Sequence, residues 1–427
     1  MKDFALKLDD LQRREFLSGI AKAALGVSIL PGAMDAATQG GGYVKPVNPK
    51  AKNVIFIYMN GGMSHLDTFD PKTNSDVKGI SEPMATNVTG LKISSLLPNL
   101  AKQSDKIAFI RSMGQKTADH SQAKYLMHTG YGVRPGTSHP QMGAWAQYFL
   151  GRRNRTMPDS VLVNSGNPGP GFFPPDHAPF PIGDPATGIK DLLPKIKRET
   201  FNHRVQLAQR FSSVFEQYFP HDEVRAYAQF YDETVKFFDD KTVSAFDVNR
   251  EPKSARDLYG TSKFGNGLLL ARRLIENNVR YVEVSHGNWD GMHNGMTPGE
   301  QRAGEIDAPI AALLQDLQQR GLLDKTMVVI TTEFGRTPKI NVRGGRDHYP
   351  AIFSAALAGG GTKGGQAIGG TDEKGMKLAK GRIITAADLH CTIAHALGLP
   401  LDDRIHGSGG RPFFVGNQGK YVEEVFS

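Results

Sequence analysis

Two kinds of hydrophobic pattern alternate along most of this chain: short runs rich in β-branched residues, and longer stretches with an apolar residue every three or four positions. Asn53-Val-Ile-Phe-Ile-Tyr-Met59 is apolar throughout, which predicts a strand buried on both faces. It ends in Asn60-Gly61-Gly62, where glycine permits a tight turn with exposed backbone N–H groups. Residues 107–110 predict a second strand and 120–128 the helix after it, with Gly130 as its C-cap. Residues 161–163 form a short strand. Helix 264–277 then precedes strand 281–285, helix 298–320 precedes strand 327–332, and 353–358 is a further strand. A last helix over 386–397 stops at Gly398-Leu-Pro400. Strands alternating with helices of this length predict an α/β fold: a mostly parallel central sheet with helices on both faces.

Three stretches depart from the alternation. Residues 151–185 are dense in Gly and Pro, as in Gly166-Asn-Pro-Gly-Pro-Gly171, and read as loop. Between about 190 and 262 the apolar spacing is helical (Val205, Ala208, Phe211, Phe215, Phe219, then Val224, Tyr227, Phe230, Tyr231, Val235), which predicts a mainly helical insertion beside the sheet. Its aromatic stripe reads as core. Gly359-Gly-Gly-Thr-Lys-Gly-Gly365 lacks the Gly-Lys-Ser/Thr ending of a phosphate-binding loop and reads as a glycine-rich hairpin.

At 427 residues, with 39% hydrophobic and 22% charged, the chain can bury a large core, expected as one α/β domain over 50–427. A net charge of +8 suits anionic substrates, but no block of five or six basic residues occurs, so no nucleic-acid partner is expected. Residues 1–40 read as a targeting signal and flexible leader. Gln12-Arg13-Arg14-Glu15-Phe16-Leu17 resembles the twin-arginine consensus and precedes an Ala/Gly-rich apolar run. This predicts passage through the twin-arginine export machinery to the periplasm or beyond. No cysteine follows the run, so no lipid anchor or other stable membrane anchor is expected. Cys391 is the sole cysteine, and no intramolecular disulfide can form.

Candidate chemistry gathers just past the predicted strands, where an open α/β sheet binds its ligands. His286-Gly-Asn-Trp-Asp290-Gly-Met-His293 follows strand 281–285, and Glu333-Phe-Gly-Arg-Thr-Pro338, running on to Asp347-His348, follows strand 327–332. Carboxylates and imidazoles delivered from two strand ends fit a divalent-metal site, with Asp290, His293, Glu333 and His348 as candidate ligands. His65 and Asp67, after the first strand, are further candidates. Arg336 offers a guanidinium fork that matches a tetrahedral oxyanion. Asp119, His120 and Ser121 stand at a helix start. There Ser121 is either an N-cap or a nucleophile activated by a nearby metal, and Lys124 a further cation for the anion.

The order of these segments resembles the alkaline phosphatase/sulfatase superfamily, down to the closing Ala387-Asp-Leu-His-Cys-Thr-Ile-Ala-His-Ala-Leu-Gly398 helix. Within it, the chain is similar to the bacterial domain-of-unknown-function family 1501. The motifs are Asn60-Gly-Gly-Met-Ser-His-Leu-Asp-Thr-Phe-Asp70, Thr332-Glu-Phe-Gly-Arg-Thr-Pro338 and Gly345-Arg-Asp-His348. The resemblance implies an alkaline phosphatase-like fold with Asp290 and His293 in one metal site, Glu333 where an Asp ligand is usual, and His348 near the last His ligand. The nucleophile register falls on His120 or Ser121. The implied activity is metal-dependent hydrolysis of phosphate or sulfate esters. The implied cofactor is a divalent metal, zinc in the first place, with calcium or magnesium as alternatives. Asn60 stands where the superfamily's first-strand Asp bridges to metal, and no His follows Glu333. Those departures keep a second reading open: a secreted, non-catalytic binding protein for anionic polysaccharide.

Overall fold

A computed structural model describes residues 46–154, 157–166, 169–188, 198–218, 241–407 and 410–427. The predicted leader at 1–40 and residues 219–240 of the predicted helical insertion lie outside the described residues. The chain divides into two compact units. One comprises Met1–Gly40, Pro174–Asp176 and Ile189–Val243, and its described part is chiefly the helix Arg198–Tyr218. The other comprises Gly41–Phe173, His177–Gly188 and Ser244–Ser427.

The second unit holds the sheet. Its strands are β1 (Asn53–Met59), β2 (Ile107–Met113), β3 (Ser160–Val163), β4 (Phe180–Ile182), β5 (Tyr281–His286), β6 (Thr326–Thr332), β7 (Phe353–Ala358) and β8 (Gln366–Ile368). They lie in the order β8-β2-β7-β6-β1-β5-β3-β4. β6, β1, β5, β3 and β4 run parallel, β7 is antiparallel to both β6 and β2, and β8 is parallel to β2. The central strands are apolar because both faces are covered: every residue of β1 and of β6 is buried. The main helices of this unit are α1 (His120–Thr129), α2 (Met142–Leu150), α3 (Lys263–Glu276), α4 (Thr297–Gln319) and α5 (Ala386–Leu397).

Side chains alternate faces along a strand, and the contacts follow that parity. Val54, Phe56 and Tyr58 share a core cluster with Trp145 and Phe149 of α2 and with Leu389 and Ile393 of α5. Gly143 of α2 sits so close to Tyr281 that a Cβ there would lie 3.1 Å from its ring. On the opposite face, a Cβ on Gly267 of α3 would lie 2.9 Å from Val284. Helices therefore cover both faces, as the sequence predicts.

Residues 359–365 do not close a hairpin. β7 and β8 flank β2 on opposite sides, so the run carries the chain across the end of that strand. Gly359, Gly360, Gly361 and Gly365 all take positive φ, which lets the chain fold tightly there without a side chain penalty. A glycine-rich link states that the chain turns; it does not state which strand lies between the two ends.

What positions the site is the register. Met59 of β1 pairs with His286 of β5 and with Thr332 of β6, so three parallel strands end level. Asn60, Gly287 and Glu333 are the next residues, all at the same carboxyl edge. No helix among the described residues is long and apolar enough to cross a membrane.

Candidate metal centre

Glu333 leaves β6 fully buried, and its carboxylate is answered on several sides. Oε1 accepts from the Gly61 N–H at 2.7 Å, and Oε2 accepts from Tyr58 Oη at 2.9 Å and Thr332 Oγ1 at 3.2 Å. His120 Nδ1 lies 2.8 Å from Oε1. Burial pushes the Glu333 carboxyl upward, but the hydrogen bonds from His120, backbone N–H groups and Tyr58 outweigh it and hold the group below its usual range. Tyr58, buried against that carboxylate, is pushed well above the ordinary phenol value, so it stays a proton donor.

His120 is the first residue of α1. Asp119 caps the helix by accepting from the Gln122 N–H at 2.9 Å, which fixes where the ring of His120 begins its approach. With Nδ1 committed to Glu333, Nε2 points away from it, 3.2 Å from Asp290 Oδ1 but buried and too poorly directed to form a hydrogen bond. The hydrogen bond to Glu333, opposed by burial, raises the His120 pKa. His348 repeats the arrangement. Its Nδ1 opposes the Ala118 carbonyl oxygen at 2.9 Å, an acceptor only, and its Nε2 lies 3.0 Å from the same Asp290 Oδ1. The two rings meet edge to face with centroids 4.5 Å apart, and Phe334 packs against both.

Asp290 follows β5 on a short turn held by Gly61, whose φ of 114° and close approach leave no room for a Cβ: it would lie 2.5 Å from the Asp290 nitrogen. Arg336 completes the cradle. It is fully buried and donates Nε to Gly62 O at 2.8 Å, Nη1 to Arg346 O at 3.2 Å and Nη2 to Asp290 Oδ1 at 2.9 Å, with Gly61 O also accepting from Nη2. Burial opposes ionisation of Asp290, but the Arg336 guanidinium and the contact with His348 override it and hold the carboxyl far below its usual range.

One atom each from His120, Asp290 and His348 thus lies within 4.8 Å of the others. The donor set fits a divalent cation. Each imidazole has Nδ1 facing an acceptor, so each presents Nε2 to a shared carboxylate, the orientation imposed on metal-bound histidines by their outer partners. Imidazole nitrogen with carboxylate oxygen suits zinc and its first-row neighbours better than calcium.

The other predicted residues are placed as follows. His293 Nδ1 lies 3.0 Å from Asp347 Oδ1, and its ring is 6.1 Å from that of His348, at the rim of the cluster. Glu333 stands behind His120 and orients it. Arg336 has its guanidinium engaged by carbonyls and Asp290, so it sets the turn and the carboxylate rather than facing open space. Ser121 is exposed on the first turn of α1, next to His120. His65 and Asp67 turn into the interior. His65 Nε2 faces Gly375 O at 2.9 Å, and Asp67 takes Arg346 Nε at 2.9 Å and Ser64 Oγ at 2.5 Å. His286, flanking the first motif, binds Glu305 at 2.9 Å and Trp289 at 3.1 Å instead. Sequence reading passed over Tyr58, His128 and Glu283. The signal was present: Glu283 is a charge inside an apolar strand, and His120, Lys124 and His128 recur at four-residue spacing on one helical face.

The molecule is thus an open, mostly parallel α/β protein with an imidazole–carboxylate cluster at the carboxyl edge of its central strands. It belongs to the family described as protein of unknown function (DUF1501), which matches residues 51–426. No curated protein matches the chain. Solved structures similar to it are alkaline phosphatase- and sulfatase-like. The lipoteichoic acid synthase LtaP from Listeria monocytogenes is 11% identical, with 90% of this chain and 79% of that one covered and a TM-score of 0.36. The PsFucS1 sulfatase from Pseudoalteromonas sp. is 10% identical, with 92% and 72% covered and a TM-score of 0.39. The alkaline phosphatase from the Antarctic bacterium TAB5 is 11% identical, with 73% and 92% covered and a TM-score of 0.33. Likenesses of this size transfer no residue role.

Proposed function

We propose that this chain is an exported, metal-dependent hydrolase of phosphate or sulfate esters. The observation that carries the reading is the convergence of His120, Asp290 and His348, each aimed by a separate outer partner, at the end of the central strands. A divalent cation held by these three residues, zinc before magnesium or calcium, would supply Lewis acidity to an ester oxygen. Glu333 keeps His120 in the tautomer that offers Nε2, and Arg336 keeps Asp290 ionised and directed inward. Ser121 or a water molecule supplies the nucleophile. Lys124, one turn beyond His120, brings positive charge toward the anion that develops as the ester bond to the alcohol breaks. The twin arginines at Arg13 and Arg14 support export, and the α/β unit over 50–427 with its insertion at about 190–262 is the expected domain plan.

One observation favours a second reading, a non-catalytic binder: Asp290 Oδ1 accepts from the buried Arg336 guanidinium, which already balances the carboxylate's charge. Metal analysis of purified protein, with turnover of aryl phosphate and aryl sulfate before and after chelation, separates the two. Bound metal with chelator-sensitive turnover that Asp290→Asn abolishes supports the hydrolase. Folded protein with neither metal nor turnover sinks it.

A further inference from the structure

Across Tyr58 from Glu333, inside β5 rather than at its end, stands a polar group with no part in the chemistry above. Glu283 is fully buried in β5. Its Oε1 lies 3.1 Å from His128 Nε2 and accepts from Ser165 Oγ at 2.8 Å and Ser285 Oγ at 3.5 Å. His128 Nδ1 faces Lys124 O at 2.7 Å. Burial opposes protonation of His128, but the Glu283 carboxylate beside Nε2 outweighs it and raises the His128 pKa. Lys124 Nζ, 6.0 Å from the Tyr58 ring centroid, adds a positive charge.

A serine hydroxyl has one proton to donate. Ser165 directs its proton to Glu283 and so presents only lone pairs to whatever lies outside, while Ser285 stands beside the same carboxylate oxygen at 3.5 Å. Both serines and Lys124 are half-exposed. Beneath them Glu283 Oε2 is buried with no hydrogen-bond partner, an acceptor left unanswered in the floor. The surface therefore combines acceptors for O–H groups with one ammonium. A single tyrosine separates it from the candidate metal centre: Tyr58 Oη reaches Glu333 at 2.9 Å, and its ring meets that of His128 at 4.3 Å.

We infer that Ser165, Ser285 and Lys124, floored by Glu283, form a subsite for the hydroxyl-rich alcohol portion of an anionic ester, a sugar or polyol, whose ester group lies at His120, Asp290 and His348. The inference rests on the ester-hydrolase reading and adds its substrate class. Full-length protein is titrated calorimetrically with glucose 6-sulfate and glucose 6-phosphate, and in parallel with phenyl sulfate and phenyl phosphate. Wild type should bind the sugar esters more tightly. Ser165→Ala, and separately Ser165→Ala with Ser285→Ala, should weaken sugar-ester binding by about fivefold per lost hydrogen bond while leaving phenyl-ester binding and turnover unchanged. Equal affinity for sugar and phenyl esters, absence of sugar-ester binding, or a preference that survives the serine substitutions overturns the subsite. Because calorimetry needs no turnover, a protein that binds sugar esters through Ser165 yet hydrolyses neither class refutes the hydrolase reading alone.

Discussion

Gly61 shows how much the site depends on one missing atom. Its φ of 114° favours glycine, and its Cα abuts the backbone of Trp289 and Asp290, while its N–H donates to Glu333. Gly61→Ala should cost roughly 1–3 kcal/mol in backbone strain, read as a lower urea midpoint, and it should reduce bound metal by displacing Asp290. A variant with unchanged midpoint and full metal content would show that the turn tolerates the shift. A second residue-level prediction concerns His390, which is fully buried with Nε2 facing Met127 O at 2.9 Å. Burial, aided by repulsion from His128 and opposed by the Met127 hydrogen bond, lowers its pKa from 6.5 to about 4. The unfolded chain therefore takes up a proton at this position before the folded one does. Its stabilising contribution is complete above about pH 6.5 and is lost as pH falls toward about 4, roughly 3 kcal/mol in all. Urea unfolding at about pH 7.5 and about pH 5 should show this loss, and His390→Gln should flatten the difference; an equal slope in both proteins would remove His390 as the cause.

Among the elements, α1 decides most, since His120, Lys124 and His128 lie along one of its faces. Asp119→Ala should cost about 1 kcal/mol through loss of the cap. It should also weaken metal binding, because the frayed first turn carries His120; weakened stability with unchanged metal affinity would separate the cap from the site. The helix and its Gly130 stop were legible because cap, periodicity and C-cap agree. β1 and β7 match the sequence pattern at both ends, since a strand buried on two faces must be continuously apolar. That rule failed for α2: Met142–Leu150 is almost all apolar, so no helical period survives to identify it. β4 and β8, with three residues each, are too short to show any period. In the site, the strand ends led to Asp290 and His348, but sequence could not separate them from Asp67 and His65, which also follow a strand. The buried partner Arg346, 279 positions away from Asp67, holds that carboxylate inward together with the nearby Ser64 hydroxyl. Likewise His120 was legible as a polar helix start, whereas its approach to Asp290 depends on Glu333, 213 residues on.

At the scale of the whole molecule, the cluster ties together segments remote in sequence: the α1 start, the β5 exit and the short strand His348–Tyr349, which pairs with Arg336. One carboxylate oxygen of Asp290 faces two imidazole Nε2 atoms and a guanidinium. An ion that binds the folded arrangement and not the dispersed chain must stabilise folding by linkage, by about 2.7 kcal/mol at a free concentration one hundred times Kd. Purified protein stripped with chelator should therefore melt lower than the same protein resupplied with zinc, and the gap should widen with zinc concentration. Asp290→Asn should keep the stripped protein folded while removing most of the gap, because an amide oxygen binds a dication more weakly than a carboxylate. Ser121→Ala should leave the gap intact even where it lowers turnover, since that hydroxyl lies outside the His120–Asp290–His348 set. A zinc-independent melting temperature in the wild-type chain would mean that Arg336 and the two imidazoles already satisfy Asp290, and that this edge of the sheet binds ligands without a metal.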